Sequence, residues 1–155
     1  MRWLQKKERF GLVGEIIHID SLRIKKEAAL RQDALDAFPW DEMERVKANL
    51  IKPMVKYWPS SRKWLLLELC YRLAYEAFVC GMKEAKWRRR SPRTFKEALD
   101  VFAPRHQAHC QQLMEQLTKE FHVFEWLDEW SAESVFMLLA ELSKNWFMKG
   151  YAQKR

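Results

Sequence analysis

Glycine is scarce in this chain, and its scarcity excludes several kinds of site. Only four of the 155 residues are glycine, at positions 11, 14, 81 and 150. A loop that cradles phosphates needs several glycines close together, and neither such a loop nor the Gly-x-Ser-x-Gly pattern of a serine hydrolase is present. No cysteine lies in a recognisable catalytic setting. We therefore expect a protein that is not an enzyme and that has no cofactor.

Long apolar runs and closely spaced cysteines are also lacking. No apolar run approaches the roughly 20 residues that a membrane-spanning helix needs. The three cysteines, Cys70, Cys80 and Cys110, are odd in number and show no Cys-x-x-Cys spacing. Without a signal-peptide pattern, this predicts reduced thiols in a cytoplasmic protein.

The residues that are present favour one globular domain. Hydrophobic residues make up 48% of the chain, with eight tryptophans and nine phenylalanines. So many large aromatic residues in a chain of this length predict that some remain exposed, which favours a partner surface or a homodimer. The formal net charge of +7 is compatible with a polyanionic partner but is weak support for one.

The stretch 61–90 is predicted to be the central helix. Its small and apolar residues recur at steps of three and four, as they do on one face of an α-helix. Gly81 lies in this face, and a glycine inside a helix indicates close packing against another helix. Glu68 and Arg72 are spaced for an ion pair on the opposite side. The buried face is predicted to contain Leu66, Leu69, Cys70, Leu73, Ala77, Gly81 and Ala85.

Further helices are predicted on both sides of it. Residues 1–19 are expected to form a basic extension with irregular structure, because Gly11 and Gly14 interrupt any helix. Residues 20–155 are expected to form an all-α, single-domain bundle of four to five helices. The predicted helical segments are residues 20–37, 41–58 with a kink at Pro53, 61–90, a short one near 94–102, 106–127 and 131 onwards, the last capped by Ser131. The spacing of apolar residues also predicts which side chains of segments 41–58, 106–127 and 131 onwards face inward. They are Met43, Val46, Leu50, Met54 and Tyr57 in the first, Cys110, Leu113, Leu117, Phe121, Phe124 and Leu127 in the second, and Val135, Leu138, Leu139, Leu142 and Trp146 in the third.

Two segments of the chain resemble each other. Residues 73–81 read LAYEAFVCG and residues 142–150 read LSKNWFMKG, each with Leu, then Phe five residues later and Gly three after that. Similar packing needs or an internal duplication would both produce this pattern.

The same two stretches carry a family resemblance. AYEAFVCG (74–81) and KNWFMKGYAQKR (144–155) resemble segments of the YbaK-like family, uncharacterised helical proteins of bacilli. The resemblance covers about a fifth of the chain, and the residues before Asp20 and the turn at 87–92 depart from it. It implies a cytoplasmic helical protein without an established activity, and so it assigns no catalytic residue.

Two groups of residues have the spacing of metal ligands. Glu15 and His18 form one Glu-x-x-His motif, and a di-iron site needs two such motifs. The sequence contains no second copy. His106, His109 and Cys110 lie within one helical turn and could bind zinc, although a closed site needs about four ligands. The simpler interpretation places His106 at a helix start and Cys110 in the core.

Charge is concentrated in two segments of opposite sign. Residues 83–96 carry a net charge of +6, and a tryptophan among them would allow base stacking in addition to phosphate contacts. Their simpler role is that of cations at a helix C-terminus. The candidate nucleic-acid-binding residues are Lys83, Lys86, Trp87, Arg88, Arg89, Arg90, Arg93 and Lys96.

Residues 120–133 form the acidic segment, with five carboxylates and no lysine or arginine. An acidic segment that contains tryptophans suits a protein partner, and its candidate residues are Trp126, Asp128, Glu129 and Trp130. We therefore predict a non-enzymatic interaction or regulatory protein that self-associates. A nucleic-acid-binding accessory protein is the alternative, and a metal-binding helical protein is the third hypothesis.

Overall fold

The structure is a computed structural model that describes the backbone of residues 2–88 and 106–153, with side chains for residues 19–86 and 106–153. All regular elements in these ranges are helical, which confirms the predicted all-α class. The predicted short helix near 94–102 lies outside the described residues. The elements are α1 (Arg2–Ala37), α2 (Trp40–Val46), a π-helical turn (Lys47–Ile51), α3 (Lys52–Met54), α4 (Ser60–Arg88), α5 (Gln107–Glu120), α6 (Val123–Trp126) and α7 (Glu129–Tyr151).

The chain divides into two compact units, one up to Asp33 and one from Ala34 onwards. This division lies later than the expected boundary between residues 19 and 20. The first unit contains the part of α1 up to Asp33, where Arg31 and Glu27 form an ion pair at 3.3 Å. Because α1 begins at Arg2, the predicted irregular extension and the helix start near Asp20 were wrong. An isolated glycine costs a helix only about 1 kcal/mol, which the many good helix formers around Gly11 and Gly14 offset.

Pro53 interrupts the next predicted helix, as expected. Proline lacks an N–H group and crowds the carbonyl four residues earlier, and here the preceding turn is π-helical. A π-turn adds one residue and therefore shifts the buried positions. Ile51 and Val55 are buried, whereas the predicted Leu50 and Tyr57 are 55% and 89% exposed. The inward assignments of Leu50 and Tyr57 were wrong for this reason.

The predicted helix over residues 106–127 is also divided. α5 ends at Glu120, and His122 adopts a left-handed conformation with φ 51°, which turns the chain before α6. Val123 is buried in place of the predicted Phe124. The last helix begins earlier than predicted, because the side chain of Asp128 caps it by accepting a hydrogen bond from the Ser131 backbone N–H at 2.8 Å.

α4 and α7 form the centre of the second unit, and their buried faces match the prediction. All seven predicted inward residues of α4 are buried, and so are the five predicted for α7: Val135, Leu138, Leu139, Leu142 and Trp146. The expected Glu68–Arg72 pair is replaced, because Arg72 instead lies 3.7 Å from Glu76 and 3.9 Å from Glu120.

The two helices meet at their glycines in a reciprocal way. A Cβ atom on Gly81 would lie 2.1 Å from the Phe147 carbonyl oxygen, and one on Gly150 would lie 2.1 Å from the Phe78 carbonyl oxygen. Gly81 therefore lies against the backbone of Phe147, three residues before Gly150. Gly150 lies against the backbone of Phe78, three residues before Gly81. Phe78 and Phe147, like the two glycines, are 69 residues apart, so the resemblance between the two segments reflects a local two-fold relationship.

The same offset relates the whole buried faces. Adding 69 to each buried position of α4 from Leu66 to Gly81 gives a buried position of α7. The α4 positions are 66, 69, 70, 73, 74, 77, 78, 79 and 81, and the α7 positions are 135, 138, 139, 142, 143, 146, 147, 148 and 150. α4 and α7 are therefore equivalent halves of one interface.

α4 and α7 run in the same direction. Trp58 and Trp126, just before the two helices begin, have ring centroids 6.3 Å apart, and the glycines meet near the other end. α2 returns antiparallel to α4, since Phe38 contacts Phe78 and the Tyr71 hydroxyl donates a hydrogen bond to Glu44. α5 has the same relation to α7. The second unit is thus two helical hairpins, residues 34–88 and 106–153, about a local two-fold axis.

Candidate functional sites

One end of the second unit exposes aromatic and acidic side chains together. Trp130 is 95% exposed, Phe124 75% and Met137 65%. Trp130, Glu133 and Met137 are spaced by three and four residues on one face of α7. The ring of Phe124 joins this face through Phe136, with centroids 6.0 Å apart. We define the acidic aromatic surface as Phe124, Glu125, Glu129, Trp130, Glu133 and Met137.

Two of the predicted interaction residues, Trp126 and Asp128, make contacts within the chain. The Trp126 ring packs against Trp58, and its N–H donates to the Phe121 carbonyl oxygen at 2.9 Å. The Asp128 carboxylate caps α7; hydrogen bonds from Ser131 hold its pKa below the ordinary value, and the charge of Arg62 adds to this effect. Trp126 is thus half-buried by contacts within the chain, whereas Asp128 caps α7 and is still exposed to solvent.

The remaining predicted residues, Glu129 and Trp130, are exposed. Glu125 lies 3.7 Å from His122, and Glu120 lies 3.9 Å from Arg72. In the described part of the chain, no ion pair joins Glu129 or Glu133 to another residue. These two carboxylates flank Trp130 and supply negative charge that is open to a partner.

The basic segment begins at the other end of the second unit. Lys83 is exposed and Lys86 is half-buried in the last turns of α4. Trp87 and Arg88 belong to the same helix, while Arg89, Arg90, Arg93 and Lys96 lie outside the described residues. Because α4 and α7 run in the same direction, the C-terminal end of α4 and the N-terminal end of α7 lie at opposite ends of the pair. A helix of 29 residues such as α4 is about 43 Å long, so the two charged ends are far apart.

The predicted metal ligands line the contact between α4 and α5. His109 Nε2 lies 3.3 Å from Cys80 Sγ, and His106 Nε2 lies 3.4 Å from Glu84 Oε2. Cys110 is buried next to Ser143 of α7. The three residues thus face different partners, and the described residues contain no group of three or more His, Cys, Asp or Glu side chains that could hold a metal ion.

Cys80 and Glu84 were not among the residues predicted from the sequence. Cys80 and Glu84 are four residues apart on one face of α4, and His106 and His109 are three residues apart on one face of α5. Because the two helices are antiparallel, Cys80 lies opposite His109 and Glu84 lies opposite His106. The spacing was visible in the sequence, but only the packing of α5 on α4 shows which histidine meets which residue. We call this line of contacts the cysteine–histidine seam.

The cysteines of this region differ in their surroundings. Burial raises the pKa of Cys70 to about 12. Burial also raises the pKa of Cys110 to about 12; the nearby Cys80 thiol adds to this effect, and a hydrogen bond with Ser143 opposes it. Cys80 is only half-buried. Of the three thiols, Cys80 alone combines access to solvent with a histidine partner.

Within the described residues, no helix has the length and apolar character needed to cross a membrane. No protein-family model, curated protein or solved structure matches the chain. The resemblance to the YbaK-like family therefore stays a prediction.

Proposed function

We propose that this chain is a non-enzymatic interaction protein of the cytoplasm that self-associates through its oppositely charged ends. The observation that carries the proposal is the exposure of Trp130 between Glu129 and Glu133, at the end of α7 opposite the basic end of α4. The odd number of cysteines supports the cytoplasmic location.

Charge complementarity identifies the second copy as the partner. The acidic segment 120–133 carries five negative charges and the basic segment 83–96 a net +6. Since the two segments begin at opposite ends of parallel helices, they are placed to meet between molecules. Two copies side by side and antiparallel would join both pairs of ends at once, which gives a closed two-fold dimer.

The aromatic side chains supply the apolar part of the contact. Large exposed aromatic residues within a charged rim are typical of binding surfaces, and tryptophan is frequent among the residues that dominate binding energy. Trp130→Ala should therefore weaken the dimer by about tenfold or more, while the stability of each monomer stays within about 0.5 kcal/mol because the side chain is exposed. Tyr57→Ala, an equally exposed aromatic residue outside this surface, is the matched control.

Sedimentation at several salt concentrations tests the charge contribution. The parent should be dimeric at micromolar concentration in about 50 mM salt and should shift towards monomer at about 1 M, where screening reduces the Debye length to about 3 Å. A clean monomer at both concentrations of salt would remove the proposal.

Charge reversal at each end gives a sharper test. Variant one carries Glu125→Lys and Glu133→Lys, and variant two carries Arg88→Glu, Arg89→Glu and Arg90→Glu. Each variant alone has lost one of the two complementary ends and should be monomeric. Their mixture retains one intact pair of ends and should form a dimer of one copy of each.

A control separates position from net charge. Asp41→Lys with Glu68→Lys changes the net charge as much as variant one does, at exposed positions outside the acidic aromatic surface. This control should dimerise like the parent. Dimerisation of variant one by itself, or a mixture that stays monomeric, would contradict the proposed contact.

Nucleic-acid binding is the second candidate, and the density of charge in residues 83–96 favours it. A groove that contacts four or five phosphates would give a salt slope of about −4 on duplex DNA. Variant two should abolish such binding, whereas variant one should preserve it. If the parent does not bind DNA or RNA at about 50 mM salt, this second candidate fails.

A further inference from the structure

We propose that Cys80 is a site of oxidation by hydroperoxides, with His109 as the base that activates its thiol. This inference is independent of the proposed self-association. It depends on the cysteine–histidine seam, where α5 crosses α4 and where no sequence motif indicated a reactive group.

Geometry provides the first argument. Cys80 Sγ and His109 Nε2 lie 3.3 Å apart on facing helices, which is hydrogen-bonding distance for sulfur. A thiol and an imidazole at such a distance form the pair that activates cysteine nucleophiles, because the imidazole takes the thiol proton and its positive charge stabilises the thiolate. Cys80 is half-buried and His109 is exposed, so a small oxidant can reach the pair from solvent.

The two-fold relationship between the hairpins provides a second argument. Cys80 of α4 is equivalent to Lys149 of α7, and the contact of Cys80 with His109 of α5 has its counterpart in a contact of Lys149 with Glu42 of α2. Lys149 and Glu42 form an ion pair at their site. The position that Lys149 and Cys80 share in the two hairpins thus accommodates a pair of opposite charges on facing helices. A Cys80 thiolate and a His109 imidazolium would be such a pair.

Comparison with the other cysteines shows why the reaction is specific. Cys70 and Cys110 are buried, and burial raises the pKa of each to about 12. Both remain protonated thiols in the native protein at neutral pH, and a thiol is a poor nucleophile. Cys80 should therefore react first, even though Cys110 lies beside His109 in the sequence.

The reaction is a two-electron oxidation of sulfur. His109 takes the proton of the Cys80 thiol, and the thiolate attacks one oxygen of the hydroperoxide. The O–O bond breaks as the S–O bond forms, and the leaving hydroxide or alkoxide takes the proton from the His109 imidazolium. The products are the sulfenic acid of Cys80, water or an alcohol, and neutral His109. The added oxygen then lies between α4 and α5.

Limited alkylation of the native protein tests the first part. With iodoacetamide as the probe near pH 7, peptide mapping should find the label on Cys80, and on Cys70 and Cys110 only after unfolding in urea. His109→Gln should lower the Cys80 rate constant several-fold, because the variant lacks the base that takes the thiol proton. Gln112→Ala, at another exposed position of α5, should leave the rate unchanged.

Two further measurements exclude a purely structural role for His109. The melting temperature of His109→Gln should stay within a few degrees of the parent, because the side chain is exposed. The rates of parent and variant should converge near pH 10, where thiols ionise without a base. The other titratable groups of the seam, Glu84, His106 and Cys110, are the same in both proteins.

Oxidation itself is followed with hydrogen peroxide and dimedone, which traps sulfenic acids. The adduct should form on Cys80 of the parent, more slowly in His109→Gln, and not at all in Cys80→Ser. Equal native labelling of the three cysteines, an unchanged rate in His109→Gln, or no adduct at peroxide concentrations that oxidise free cysteine would each overturn the proposal.

Discussion

Gly81 and Gly150 show how a missing side chain determines the packing of this protein. An alanine at either position would place its Cβ 2.1 Å from a carbonyl oxygen of the opposite helix. Neither backbone can yield alone, since each belongs to a long helix that is buried along one face. The two helices would therefore have to separate at the point where they are closest.

Replacing either glycine by alanine should change the free energy of unfolding in the direction opposite to that in an ordinary helix. Gly→Ala normally stabilises a helix by about 1 kcal/mol. Here Gly81→Ala and Gly150→Ala should each destabilise the fold by about 1–3 kcal/mol or more, because overpacking exceeds the gain in helix propensity. The double variant should cost less than the sum, since one separation of the helices relieves both contacts.

Urea unfolding measures these free energies. Ala140→Gly, at an exposed position of α7, reports the propensity contribution alone and should cost about 1 kcal/mol. If either alanine variant is more stable than the parent, the close crossing of α4 and α7 is incorrect.

At the scale of elements, α7 depends on its N-terminal cap. Asp128 accepts a hydrogen bond from the Ser131 N–H, and the hydrogen bonds from Ser131 hold the pKa of Asp128 below its ordinary value. Asp128→Ala should therefore lower the urea midpoint of unfolding, whereas Asp128→Asn, which caps helices equally well, should lower it much less.

A pH titration completes this test. Because the folded pKa is the lower one, the charged carboxylate contributes stability above the unfolded value, and this contribution is lost as the pH falls through the folded pKa. The difference between the parent and Asp128→Ala, measured by urea unfolding, should therefore shrink in acid. Equal stabilities of parent, Ala and Asn variants at pH 7 would show that the cap has no role.

Helices with a regular apolar period were predictable, and irregular backbone was not. The faces of α4 and α7 follow from steps of three and four, and every predicted inward residue is buried. The wrong inward assignments of Leu50, Tyr57 and Phe124 lie where local geometry shifts the period, at the π-turn before Pro53 and at the left-handed His122. The error at residues 1–19 has a different cause, because Gly11 and Gly14 interrupt a helix less than expected. One additional residue in a turn, or one left-handed residue, changes which of the following side chains face the core. The spacing of apolar residues in the sequence does not indicate such a change.

The candidate sites show the same division between local and long-range information. The acidic aromatic segment was visible in the local composition, and Trp130 within it is exposed. The internal role of Trp126 depends on Trp58, which is distant in the sequence, and the partner of His109 depends on the packing of α5 on α4. Contacts between separate helices need the fold and were therefore beyond the sequence.

At the scale of the whole molecule, the buried thiols and Tyr71 set the response to alkali. The ordinary pKa values of cysteine and tyrosine are 9.0 and 10.0. In the folded protein the pKa is raised to about 12 for each of Cys70, Cys110 and Tyr71. Burial is the main cause for all three, and for Tyr71 the hydrogen bond to Glu44 and its charge add to it. The folded protein thus retains protons that the unfolded chain releases.

The sign of the pH dependence follows from these raised values. Stability should be fully present below about pH 9 and should fall as the pH rises towards 12. Urea midpoints at about pH 7, 9 and 10.5 should show the decline. Tyr71→Phe should reduce the fall of the urea midpoint above about pH 10. Cys80→Ala removes a half-buried thiol and, as the control, should leave the pH dependence of the midpoint unchanged. A midpoint that is constant up to pH 10.5 would contradict the burial of these groups.

The equivalence of the two hairpins has a consequence for synthesis on the ribosome. The face of α4 is complete 69 residues before its partner in α7, which at about 5–20 residues per second is a delay of roughly 3–14 s. During that time the nearest matching surface belongs to the first hairpin of a neighbouring nascent chain. Once α7 emerges, its covalent link keeps it at an effective concentration on the order of millimolar, so closure within one chain outcompetes exchange with another.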